Sequence, residues 1–235
     1  MKFIKILALL LVTTLFTNAA HADKPTMAVL DFRNNTNAGW WGSSVGRELG
    51  GMLTNELASG KKFRMIERQK LASVLGEQDL AASGRVSGGQ AAKMGKMVGA
   101  QYLVTATVSS FESNVNSTGG GISFKGVSLG GKSKKAYIAV DLRVVDSTTG
   151  EIVDTRTVEA RSGGLGMSIG LSRGGFGGAL ANEKKTPAGK AIRAVIAEIS
   201  GYLECSMVTK GKCLKKYEAK ERKRREGLSK GIDLD

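Results

Sequence analysis

Residues 165–171 read Leu-Gly-Met-Ser-Ile-Gly-Leu, with only glycine or serine between the apolar side chains. A period of two sends Leu165, Met167, Ile169 and Leu171 to one face of a strand and nothing larger than serine to the other. One greasy face and one small polar face is what a membrane-spanning hairpin needs, with lipid outside and water inside. The alternation lies within a glycine-rich segment, Arg161–Leu180, whose return arm carries Phe176 and Leu180. An earlier segment, Ser117–Lys135, is built in a similar way. There Ile122 and Phe124 share a parity on one arm, and Val127 and Leu129 share one on the other if the tip falls at Lys125-Gly126. Each segment is long enough for two arms of about 9–11 residues, the length of a membrane strand. Fifteen of the 32 glycines lie between Gly119 and Gly178, which marks the two segments as insertions between core strands.

The flanking chain reads as an ordinary α/β or α+β domain, a mixed sheet with packed helices. Met27–Phe32 is a short apolar strand, and Phe63–Ile66 and Tyr102–Val108 are two more. Val45, Leu49, Met52, Leu53 and Leu57 recur on one helical face that ends near Gly60. Glu67–Leu80 carries Leu71, Val74 and Leu75 at helical spacing. Ser87 and Gln90 form a capping box for a helix predicted to end at Gly99, with Ala91, Met94 and Val98 inward. Tyr137–Val145 and Glu151–Val158 are strands joined by the turn-rich Asp-Ser-Thr-Thr-Gly of residues 146–150. Ile192, Val195, Ile196, Ile199 and Leu203 line a last helix opened by Pro187. The predicted organisation is a leader over residues 1–22, a domain over 23–213 with hairpin insertions at 117–135 and 161–180, and a basic tail or helix over 214–235.

The leader is a secretory signal: Lys2 and Lys5, an apolar run Ile6–Phe16, and an Ala20-His21-Ala22 cleavage site. Cleavage removes His21, the single histidine, so the exported chain has no Ser-His or Cys-His nucleophile system and no histidine-ligated metal site. The reading is therefore non-enzymatic, with no metal and no cofactor. Cys205 and Cys213, in an oxidising compartment, read as one small disulfide loop, with free thiols or bridges between chains as the alternatives. The net charge of +14 is concentrated late, with nine lysines and arginines between Lys210 and Arg225. That run is either a solvated helix or tail, or a contact for anionic lipid head groups, lipopolysaccharide or peptidoglycan. Export excludes nucleic acid as a partner.

Two further features carry competing readings. Gly126–Ser133 matches the phosphate-loop pattern letter for letter, and Tyr137–Asp141 imitates a magnesium-binding strand. A phosphate loop requires a helix straight after its Lys-Ser, and here an alternating β-branched strand follows. The loop Arg33–Ser44 holds Asn37 and both tryptophans, Trp40 and Trp41. They either fold back on the core edge or pack on a neighbouring chain, or they form an exposed aromatic and amide surface that touches an extended polypeptide.

Residues 28–32, 65–71, 98–106 and 111–115, together with 138–152, resemble the curli secretion channel family, the CsgG-type proteins. Glu112-Ser-Asn-Val115 and Val140-Asp-Leu-Arg-Val-Val145 with Thr149-Gly-Glu-Ile152 look closer to the channel itself. The resemblance implies a ring of identical subunits in the outer membrane of a Gram-negative bacterium, each lending two hairpins to one transmembrane β-barrel above a periplasmic vestibule. Unfolded amyloid subunits would diffuse through it, with periplasmic or extracellular accessory proteins as further partners. It places the pore constriction on Asn37, Trp40 and Trp41, while the alternation itself assigns the lipid-facing positions to Ile122, Phe124, Val127, Leu129, Leu165, Met167, Ile169, Leu171 and Phe176. Ala22 and Asp23 stand where the family's channel has its lipidated cysteine, and the constriction loop is shorter than the channel's. The alternative is a periplasmic, outer-membrane-associated binding or activator module without a pore.

Overall fold

The computed structural model describes residues 24–116, 123–124, 127–128, 134–162, 180 and 185–229. The predicted leader over residues 1–22 lies outside them, as do most of both glycine-rich segments and, with them, Ile122, Leu129, Leu165, Met167, Ile169, Leu171 and Phe176. For Phe124 and Val127 the backbone alone is described.

Among the described residues, β1 (Thr26–Val29), β2 (Arg33–Asn34), β3 (Arg64–Met65), β4 (Tyr102–Asn116), β7 (Lys134–Asp146) and β8 (Ile152–Arg161) form one mixed sheet. Its order is β3-β1-β4-β7-β8, with β2 also on β4. The N-terminal strands run parallel to one another or to β4, whereas β4–β7 and β7–β8 are antiparallel. Helices α1 (Val45–Gly60) and α3 (Pro187–Leu203) cover one face. This is the expected mixed sheet with packed helices.

The two covering helices form where apolar periodicity meets good termini. Val45, Leu49, Leu53 and Leu57 of α1 are almost fully buried, and so are Ile192, Val195, Ile196, Ile199 and Leu203 of α3. They meet Val104, Ala106 and Val108 of β4 and Ile138, Val140, Leu142 and Val144 of β7 in one core. Thr186 opens α3 by accepting from Gly189 N at 3.0 Å, and Pro187 occupies the first turn, where its missing N–H costs nothing. The first turn of α1 lies so close to Phe32 that a Cβ at Gly46 would sit 2.3 Å from the Phe32 carbonyl oxygen. Glycine is therefore needed there for the close approach.

Two expected helices behave otherwise. Helix α2 (Leu71–Ala82) forms, but it buries none of its residues, and Val74 and Leu75 are exposed. The predicted helix over 87–99 does not form, and Met94 and Val98, expected to point inward, are 62% and 45% exposed. A capping box lowers the cost of starting a helix, but a helix this short holds only if a face is buried. Here Gly88, Gly89 and Gly95 add backbone entropy, and Gly95 adopts a φ of +70°.

Beyond α3 the chain makes a π-helical turn, Glu204–Thr209, closed by Lys210 N to Cys205 O at 2.6 Å. It reverses at Gly211 (φ +73°) into α4 (Lys212–Ser229). The basic run is therefore a helix through Ser229.

Candidate functional site at the roots of the glycine-rich segments

Strands β4 and β7 pair continuously from Tyr102↔Asp146 to Asn116↔Lys134, with bulges between Val108 and Ser110 and between Ser113 and Val115. The ribbon thus runs well past β2 and carries the first glycine-rich segment at its end. Within that segment β5 (Ser123–Phe124) pairs with β6 (Val127–Ser128), placing Phe124 opposite Val127 with two residues between them. A strand, β7, and not the helix a phosphate loop requires, follows the look-alike in the chain. Asp141, the apparent magnesium ligand, accepts from Thr157 Oγ1 at 2.8 Å across the β7–β8 ladder.

The second segment leaves from the same end. Tyr137 pairs with Arg161, and Ser162, buried, both donates its N–H to Ala136 O and accepts from Ala136 N, each at 2.8 Å. The segment returns at Leu180. Its side chain is fully buried in the core cluster, so Leu180 belongs to the domain and not to a lipid-facing return arm. Its N–H donates to Glu48 Oε2 at 3.0 Å, while Glu48 Oε1 accepts from Ser44 Oγ at 2.7 Å. A carboxylate in the first turn of α1 also matches the positive end of the helix dipole. Glu48 therefore fastens the second segment's return to the last residue of the tryptophan loop.

That loop is itself ordered from both sides. Asn34 forms a local cage, accepting at Oδ1 from Thr36 N (3.0 Å) and Thr36 Oγ1 (2.7 Å) and donating through Nδ2 to Thr36 O (3.0 Å). Asn37 follows, exposed. Trp40 and Trp41 are half-buried against the core edge, their rings 5.6 Å apart. Trp40 meets Phe111 of β4 edge-on at 5.3 Å. The buried indole Nε1 of Trp40 has no acceptor among the described residues. Of the two readings of this loop, folding back on the core edge describes the tryptophans in a single chain, and Asn37 alone of the three is fully presented.

At the other edge, β8 carries the seat of α4. The Arg156 guanidinium lies 4.7 Å from the Tyr202 ring and 5.4 Å from the Tyr217 ring, and its Nη2 donates to the Tyr217 carbonyl. The two rings meet edge-on at 5.2 Å, and Tyr202 donates to Asp154 Oδ1 at 2.7 Å. Burial first, then Asp154, pushes the Tyr202 hydroxyl up to about 12. Burial first, then Glu198, does the same for Tyr217. Lys220 pairs with Glu198, and the hydrogen bond from Arg224 leads in holding Glu221 down at about 2. Cys205 and Cys213 are joined, their Cα atoms 5.9 Å apart. The cysteine pair was legible in the sequence. Glu48, Arg156 and the core role of Leu180 were not, because each depends on a partner tens of residues away.

Among the described residues no helix is long and apolar enough to cross a membrane. The family model for the curli production assembly/transport component CsgG matches residues 12–232. The CsgG proteins of Escherichia coli strain K12 and Salmonella typhimurium are each 31% identical over 108 residues, 44% of this chain. That match spans 39% of the length of these curated relatives. Among solved structures, the hypothetical protein CT253 of Chlamydia trachomatis aligns with a TM-score of 0.41 and 18% identity, over 77% of this chain and 98% of that one. A PelC dodecamer subunit of Paraburkholderia phytofirmans aligns with 0.37 and 14%, over 74% and 85%. With the family model matching nearly the whole length, the chain belongs to the CsgG family of curli production assembly/transport components.

Proposed function

We propose that this chain is the subunit of an oligomeric outer-membrane channel through which unfolded, curli-like fibre subunits leave the cell by diffusion. The observation that carries the reading is convergence at one end of the sheet. There the β4–β7 ribbon, the exit and return of the second segment at Ser162 and Leu180, and the loop holding Asn37 all emerge together. A subunit that lends two hairpins to a shared barrel needs both to leave from one end, beside whatever lines the axis. In this reading residues 23–213 form the periplasmic α/β body, and copies of the chain associate into a ring. The segments 117–135 and 161–180 supply barrel strands whose apolar positions face lipid. Asn37 would ring the axis with Trp40 and Trp41 behind it. Family membership supports transport of a curli-type polypeptide, with accessory envelope proteins as additional partners.

The test is to extract full-length protein from membranes in detergent, image the particles and reconstitute them in planar bilayers. Ring-shaped particles and discrete conductance steps are expected. A membrane-free monomer that never conducts would overturn the channel and favour a periplasmic binding or activator module.

A further inference from the structure

The outer face of α4 carries a one-sided charge. At about 100° per residue, Lys212, Lys215, Lys216, Arg222 and Lys223 fall within an arc of about 120°. All five are exposed, and none makes an ion pair among the described residues. Glu226 is the single carboxylate inside the arc, and Ala219 is its one apolar residue. The cations that do pair, Lys220, Arg224 and Arg225, lie off the arc and engage Glu198 or Glu221.

The opposite face is held firmly. The Cys205–Cys213 bridge fixes the start of α4, and Arg156, stacked on Tyr202 and Tyr217, fixes its second turn. The helix then runs alongside β8 in the same direction. Tyr217 sits at Arg156, while Arg224 lies close enough to Glu159 to feel its charge. The C-terminal half of the arc thus points toward the end of the sheet where the second glycine-rich segment leaves.

We infer that this face of α4 is a docking surface for an anionic, phosphate-bearing lipid surface. Four of the five cations are lysines, compact point charges without the bidentate fork that arginine uses to read one phosphate. A row of such charges suits a diffuse plane of negative charge. With no large apolar side chain in the arc, α4 adsorbs at head-group level and does not insert. The direction of approach rests on the proposed membrane placement of the glycine-rich segments, but the adsorption does not.

The test uses full-length, detergent-free protein and sedimentation with two kinds of vesicle: phosphatidylcholine alone, and phosphatidylcholine with phosphatidylglycerol. The quadruple variant K215Q/K216Q/R222Q/K223Q changes only exposed residues, and circular dichroism checks its fold. The wild type should prefer anionic over neutral vesicles by at least about tenfold at about 0.1 M salt, and the variant should lose that preference. Raising salt to about 0.5 M should abolish it as well, because exposed charges are then screened. Equal binding to both vesicles, or an undiminished preference in the variant, overturns the inference. So does binding to a duplex DNA fragment without any preference for anionic vesicles. Insertion of hairpins gives salt-resistant binding to neutral lipid, so failure of the channel reading leaves the difference between the vesicles intact and readable.

Discussion

Glu48 accepts a hydrogen bond from the backbone N–H of Leu180, 132 residues further along the chain, at 3.0 Å. One side chain in the first turn of α1 thereby ties the end of the tryptophan loop to the return of the second glycine-rich segment. Leu180 is fully buried, and removing the partly buried carboxylate that its N–H reaches strands that donor at a cost of about 1–3 kcal/mol. Glu48→Ala should lower unfolding free energy by about that amount and speed amide exchange at Leu180. Glu48→Gln, which keeps an acceptor, should lose less. An Ala variant as stable and as slowly exchanging as wild type would remove the tether from the account.

The Cys205–Cys213 bridge closes a short loop between α3 and α4, with a sequence separation of 8. In the chain-entropy model a loop of this size stabilises by about 2–3 kcal/mol. Cys213→Ser should cost about that much in denaturant unfolding and release exchange protection in the first turns of α4. Alkylation without reductant, read by intact mass, should find no free thiol in protein made in the periplasm. Two alkylated cysteines would count against the bridge.

Arg156 serves α4 by stacking and by a directed hydrogen bond, and lysine, a point charge with donors of its own, lacks the planar guanidinium that does both at once. Arg156→Ala should destabilise by about 2 kcal/mol, combining a partly desolvated cation–π contact with a lost charged hydrogen bond. Arg156→Lys should recover less than half of it. Full rescue by lysine in thermal unfolding would mean that charge alone holds the helix.

Tyr202 and Tyr217 both ionise near 12 in the fold, above the ordinary value of 10.0. A raised folded value means that the native state binds more protons than the unfolded chain. Their contribution is therefore complete below about pH 10 and is lost as pH climbs from 10 toward 12. Stability should fall across that window, and tyrosinate absorbance should lag behind that of the urea-unfolded chain. Glu221, held near 2, has the opposite sign: its contribution is complete above the ordinary carboxylate range and is lost as pH falls toward 2.

Trp40 and Asn37 separate packing from the pore. Trp40→Ala removes the edge contact with Phe111 and should cost about 1–3 kcal/mol of stability. Asn37→Ala is an exposed change and should stay within about 0.5 kcal/mol. In planar bilayers Asn37→Ala should nevertheless shift single-channel conductance. An unchanged conductance would move the constriction away from this loop.

What the sequence determined by itself is what local periodicity can specify. The apolar stripes of α1 and α3 are buried as their spacing required, because a stripe repeating every 3–4 residues has one way to hide. The Asp146–Gly150 turn predicted the β7–β8 hairpin, since Gly150 takes the positive φ that closes it. Tertiary structure decided the rest. Strand β4 runs to Asn116, eight residues past Val108, because β7 pairs with it across bulges that scramble the alternation. The helix predicted over 87–99 fails because nothing among the described residues buries Met94 and Val98. Leu180 looks like a hairpin residue in sequence, yet it lies in the core because Glu48 and α1 close over it. Local pattern reports which face a residue prefers, and only the meeting of distant segments decides whether there is anything to face.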